Sequence, residues 1–179
     1  AVFVNKRNAI HYENMSIALA ESVANQGQGF ISSMAFGNGG TSVDPTGIIT
    51  YLTPNSTGTN ASLYNQTFTK IVDDRSVSNL DPQRNKIETR HVNGTNYTDV
   101  VVTCLLDYGE PNGQDATDTA SASDSLYVFD ELGLVSYASS GTGKLLTHVI
   151  FHPVQKSLNR LIQIDYTVRV QSLTGFNEG

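Results

Sequence analysis

The segment SLYVFDELGLVSYASSGTGKLLTHVIFHPVQKSLNRLIQIDYTVRVQ, residues 125–171, carries the strongest periodicity in the chain. From Leu161 onward, Ile162, Ile164, Tyr166, Val168 and Val170 alternate with Gln163, Asp165, Thr167 and Arg169, the pattern of a long strand with one wet face. Residues 145–151 read as a second strand broken by Pro153, with the polar run 155–159 able to turn the chain back. Residues 127–134 form a shorter apolar run interrupted by Asp130, Glu131 and Gly133. Three strands with such short connections predict an antiparallel meander.

Working outward from that segment, residues 97–108 hold a centre, 100–106, that is apolar on both faces and predicts a central strand; Asn93-Gly94 supplies the turn before it. Residues 30–36, 48–52 and 63–72 read as further strands, and 75–90, with Pro82, as an irregular excursion. Residues 109–125 read as an exposed acidic loop. One helix is expected over 12–25, with Met15, Ala18, Leu19, Ser22 and Val23 at helical spacing and Gly27 placed to stop it. Before it, Val2, Phe3 and Val4 form an apolar tip that leads into a polar stretch, an arm that orders on a partner. The expected fold is mainly β: an antiparallel β-sandwich with one N-terminal helix and an extended N-terminal arm, divided into 1–27 (arm and helix) and 28–179 (sandwich).

Composition narrows the function. The chain has 179 residues, enough for one domain with a core, and only 16% of them are charged. A formal net charge of -6 with no Lys/Arg cluster argues against nucleic acid or an anionic membrane as partner. No apolar run approaches the roughly 18 residues of a membrane span, and the expectation is a soluble protein made in a cytoplasm. Six Asn-x-Ser/Thr matches, beginning at Asn14, Asn55, Asn60, Asn65, Asn93 and Asn96, are expected by chance in so Asn- and Thr-rich a chain. The single Cys104, inside VVVTCLL, reads as a buried small side chain.

No catalytic constellation is legible. The acids fall at expected turns or strand edges and read as solvated. The glycine-rich 37–40 turn lacks GxGxxG spacing, and Gly141-Thr142-Gly143-Lys144 fails the phosphate-loop pattern at Ala138 and Leu145. His148 and His152 would share a strand face, yet no second pair of ligands lies near in sequence, while His11 and His91 stand alone. Residues 107–118 lack the order of a calcium loop. The expectation is therefore no catalytic residue, no metal and no cofactor.

One resemblance organises these observations. Ser33-Met34-Ala35-Phe36-Gly37-Asn38-Gly39-Gly40, then Asp130-Glu131-Leu132-Gly133-Leu134, then Leu145-Leu146-Thr147 with Phe151-His152-Pro153-Val154-Gln155-Lys156, resemble structural proteins of tailed bacteriophages. The order is similar to that of tail-fibre amino-terminal attachment domains, where "MALGDGGG", "REIGLFD" and a "KP"-type segment recur. Phe36 and Asn38 depart from that pattern, and with no fibrous repeat expected after Gly179 the chain is not expected to be a fibre itself. The chain also resembles myovirus neck or collar-type virion proteins in its N-terminal helix and YTVRV ending. The pieces lie scattered over residues 30–171. The resemblance implies a non-enzymatic virion component, assembled in the host bacterial cytoplasm and forming a ring at the neck between head and tail. Its implied partners are further copies of itself and neck, portal-adaptor, tail or fibre subunits. A capsid decoration protein, or a baseplate or tail-fibre attachment protein that binds glycans, fits the same features. Against glycan binding, the chain has no Trp, and Tyr51, Tyr64 and Tyr97 follow the strand pattern. The expected subunit contacts are Val2, Phe3, Val4, Met15, Leu19, Gly37, Asn38, Gly39 and Gly40, where apolar surface or pliable backbone is not used by the sheet.

Overall fold

Alternating apolar residues build most of the chain into strands, and a computed structural model describes residues 7–111 and 126–173. The protein is mainly β, with 46% of the described residues in strands and 8% in the helix. Its elements are β1 (Arg7–Ile10), α1 (Tyr12–Val23), β2 (Ile31–Gly37), β3 (Thr41–Val43), β4 (Ile49–Tyr51), β5 (Gln66–Ile71), β6 (Lys86–His91), β7 (Tyr97–Leu106), β8 (Leu126–Ser136), β9 (Thr147–Ser157) and β10 (Ile162–Gln171). All pairings are antiparallel. One sheet has the order β1-β9-β8-β2-β5, a second β10-β7-β6, and β3 and β4 form a separate hairpin. Met34, Phe36, Phe129, Leu132, Leu134 and Phe151 of the first sheet meet Val102, Cys104, Leu106 and Val168 of the second in one buried core. That is the sandwich expected from the pattern, with β7 central in its sheet. Phe129 packs edge-on against both Phe36 and Phe151, with ring centroids 5.3 and 5.7 Å apart.

The meander needs correcting. β8 pairs with β9, but β10 crosses to the other sheet and pairs along its whole length with β7, from Ile162↔Leu106 to Gln171↔Tyr97. β10 has an apolar face to bury, and the inner surface beside Val102 and Cys104 is where it finds cover. Pro153 does not end β9 either. The β8–β9 register shifts between Phe129↔Val154 and Glu131↔Ile150, so Phe151, His152 and Pro153 bulge past Asp130, and a residue without an N–H forfeits no ladder bond there. The stretch read as an irregular excursion ends in β6, a short edge strand whose Lys86, Glu88 and Arg90 hide its period. Part of the supposed arm, Arg7–Ile10, is β1, paired with β9. Val2, Phe3, Val4 and most of the acidic loop lie outside the described residues.

The helix stands where expected, but its signals differ. His11 is the N-cap, and its ring Nδ1 accepts the Asn14 amide at 3.1 Å. Asn25, at φ +56°, turns the chain left-handed two residues before Gly27. Asn14 and Ala18 are the buried helical positions, whereas Val23 is 86% exposed. Asn14 Nδ2 donates to the Leu145 carbonyl at 2.9 Å, which fixes the helix to the chain entering β9.

Strand alternation gives the larger sheet a second face. Opposite the core side, Ala35 packs with Leu63 and Leu145, and the chain from 38 to 65, including the β3–β4 hairpin, covers that side as a third layer. Lys156 is likewise fully buried, its ammonium donating to the carbonyls of Asp107, Glu110 and Ser157 at 2.9, 2.6 and 2.8 Å. Burial pulls its pKa below the ordinary lysine value, against the pull of Glu110 and Asp107. Lys156→Met removes these bonds but also relieves the ammonium's desolvation, and the Asp107 and Ser157 carbonyls keep the amides of Glu110 and Arg160. A loss of about 1–2 kcal/mol is expected in denaturant unfolding.

Candidate functional site

Asp130 and Glu131, read as solvated from the sequence, are the opposite: 3% and 0% exposed. The correction follows from β8's position between β9 and β2, with the glycine turn folded over it. Gly37 ends β2 beside Glu131, and the next residues wrap the two carboxylates. Glu131 Oε2 accepts the amides of Gly39 (3.0 Å) and Asn65 (2.8 Å), and Oε1 accepts the Tyr64 amide (2.9 Å) and His148 Nε2–H (2.8 Å). Asp130 Oδ1 accepts the Gly40 amide at 2.8 Å; Oδ2 accepts both the amide and the hydroxyl of Thr41. Space requires glycine at 37, where a Cβ would stand 2.3 Å from the Asn65 carbonyl oxygen, and is tight at 40, where one would meet the Ile150 side chain at 3.0 Å.

His148 completes the knot. Its Nδ1 accepts the Asn55 amide at 2.8 Å, so the ring proton sits on Nε2 and points at Glu131. The ring lies 5.6 Å from that of Tyr64. With both nitrogens occupied and the ring fully buried, His148 offers neither a lone pair nor a proton to a substrate while the knot is closed. Burial is the largest influence on Glu131 and pushes its pKa up, but the His148 bond and the Asn65, Tyr64 and Gly39 amides together outweigh it and hold the pKa below the ordinary value. At Asp130 burial prevails over the Thr41 and Gly40 bonds, and the pKa is raised.

No family model, curated protein or solved structure matches this chain.

The other sequence-expected residues divide cleanly. Asn38, at the tip of the glycine turn, is half-buried, and its Oδ1 accepts from Asn65 Nδ2. Met15 is half-buried and packs on the main core, while Leu19 is 42% exposed. Both line an open cleft of about 770 Å³ between α1 and the end of the sandwich, with Ile31, Ile87, Val100 and Val170. His152 is exposed and stands apart from the buried His148 knot. His11 is fully buried, donating Nε2–H to the Gly58 carbonyl at 2.8 Å. Cys104 is buried in the core, and burial pushes its thiol up to about 12. Among the described residues no group of three or more His, Cys, Asp or Glu is placed to hold a metal ion.

The knot could have been suspected from the sequence. Two adjacent acids inside an apolar strand, with a run of glycines elsewhere, suggest a carboxylate capped by amides. Which glycines face which acid depends on strand order, and local pattern does not carry that.

Proposed function

We propose that this protein is a non-enzymatic structural component of a tailed-phage virion, building a ring at the neck between head and tail. The carrying observation is the convergence of the motifs behind the resemblance. The 33–40 and 130–134 stretches are separated by some 90 residues, yet Gly39, Gly40, Asp130 and Glu131 meet in one hydrogen-bonded knot, which His148, lying between the 145–147 and 151–156 pieces, completes. The order of the first two motifs then has a physical meaning, because they supply the amides and the carboxylates of a single fold-locking device. The knot's charged groups are spent on each other and on backbone amides, as suits a module that holds shape under load rather than one that turns over substrate.

Surface chemistry supports assembly. Leu19, Tyr12 and Val23 leave apolar area on the outward side of α1, next to the cleft that Met15 and Leu19 line. Other virion proteins or further copies are the partners this surface suits. Antibody-gold labelling of intact particles tests the reading. Label confined to the head–tail junction is the expected result. Label over the head would replace the neck by a decoration role, label at the tail tip by an attachment role, and label nowhere on a particle would end the virion reading.

A further inference from the structure

We infer that β10 is a self-complementary edge that pairs with β10 of a second copy, antiparallel about a two-fold axis through Thr167. Among the described residues β10 is the outer strand of the three-stranded sheet, ten residues long, with an unbroken register to β7 on its inner side. Along its length it carries neither proline nor bulge, two devices by which natural edges discourage pairing. The opposite edge of the same sheet differs. β6 has six residues, and its Ile87 amide is already taken by Asp74 Oδ1 at 3.1 Å.

Charge selects the occupant and the register. Pairing about Thr167 sets Asp165 opposite Arg169 of the other copy, twice by symmetry, with Gln163 opposite Gln171 on the same wet face. On the apolar face it sets Tyr166 opposite Val168 and Ile164 opposite Val170, so the inner surface continues apolar across the axis. Moving the axis to residue 165 or 169 would oppose Asp165 to Asp165 or Arg169 to Arg169. Axes at 166 or 168 leave both charges facing neutral side chains. Arg169 is already held in position on the wet face, where its guanidinium bonds Asp99 at 2.8 and 3.2 Å and lies 3.8 Å over the Tyr97 ring. The dimer would therefore join two three-stranded sheets into one of six, with Asp99, Arg169 and the second copy's Asp165 in a row. A two-fold contact does not itself close a ring, so this inference stands beside the assembly reading as a pairing of two copies and is tested apart from it.

Sedimentation of the purified chain is expected to show a dimer with a Kd below about 0.1 mM. Asp165→Arg should weaken it about tenfold or more by facing Arg169 with a like charge, Arg169→Asp should do likewise, and an equimolar mixture of the two variants should dimerise again. Under mild oxidation Thr167→Cys should cross-link to itself, whereas Gln163→Cys, opposite Gln171, should not; the native thiol is buried. Circular dichroism confirms that each variant is folded. A monomer at all concentrations, a dimer indifferent to Asp165→Arg, or cross-linking of the Gln163→Cys variant in place of the Thr167→Cys variant would overturn β10 pairing and leave the virion reading to its own labelling test.

Discussion

Replacing Glu131 by glutamine is expected to destabilise the protein by about 4 kcal/mol, within the 3–5 typical of breaking a buried charged network. Each carboxylate oxygen of Glu131 takes two donors. Glutamine keeps one acceptor and turns an NH2 toward two N–H groups, so whichever way the amide flips, two donors lose their partner and face a third. Chemical denaturation at pH 7 measures this loss directly. The acid limb gives a second reading. The folded pKa of Glu131 is depressed, so its contribution is complete above the unfolded value of about 4.5 and is lost as pH falls through the folded value. Asp130, whose folded pKa is raised, acts oppositely: it favours the folded state at low pH and loses that contribution as pH rises through its folded value. The gap between wild type and Glu131→Gln should therefore narrow below pH 4.5, while Asp130 softens the wild-type decline. A gap independent of pH would mean that folding leaves the pKa of Glu131 unchanged, and a gap that widens on acidification would mean that Glu131 is protonated in the folded protein.

Gly37→Ala is expected to cost about 3 kcal/mol, although the change adds one methyl group. The methyl would stand 2.3 Å from the Asn65 carbonyl oxygen and 2.7 Å from Glu131 Oε2. Backbone has to move, and Asn65 is the residue whose amide binds Glu131 and whose carbonyl accepts the Asn38 amide at 3.1 Å. Overpacking and the loss of those bonds act together. Gly47 offers the contrast. It lies at φ +91° with open space around it, so Gly47→Asn meets only the backbone strain of a positive φ and should cost about 1 kcal/mol. Thermal unfolding of the two variants side by side separates crowding from a general glycine effect. Equal losses would place the strain elsewhere.

The long strands were legible because their periodicity is strong. β10 alternates over ten residues and β7 is apolar on both faces, so their existence and β7's central place could be read directly. What the local pattern could not carry was partnership. β9 and β10 are joined by a short connection that in most chains makes a hairpin, and here it carries the chain from one sheet to the other. β6 was hidden by its charges, and β3, only three residues long, had too little sequence to show a period. The buried acids were missed for a related reason. Asp130 and Glu131 look like a strand interruption until β9's bulge and the glycine turn are placed over them, and both depend on contacts some 20 to 90 residues away. The helix was found through its apolar spacing, but its ends were set by His11 and Asn25, whose capping roles appear only once the flanking backbone is known.

The outer layer over the larger sheet is recognised largely through its main chain. Gly39, Gly40, Thr41, Asn55, Tyr64 and Asn65 each present an amide to Asp130, Glu131 or His148, and every residue except proline has one to present. Selection on this layer therefore falls unevenly. The receiving side chains and crowded glycines are pinned, while exposed side chains such as Ser42, Val43, Pro45 and Ile48 take no part in the attachment and can change without loosening it. A lineage could change the outward appearance of this face many times over a constant chassis, which is a useful property for any surface that must keep pace with a changing neighbour.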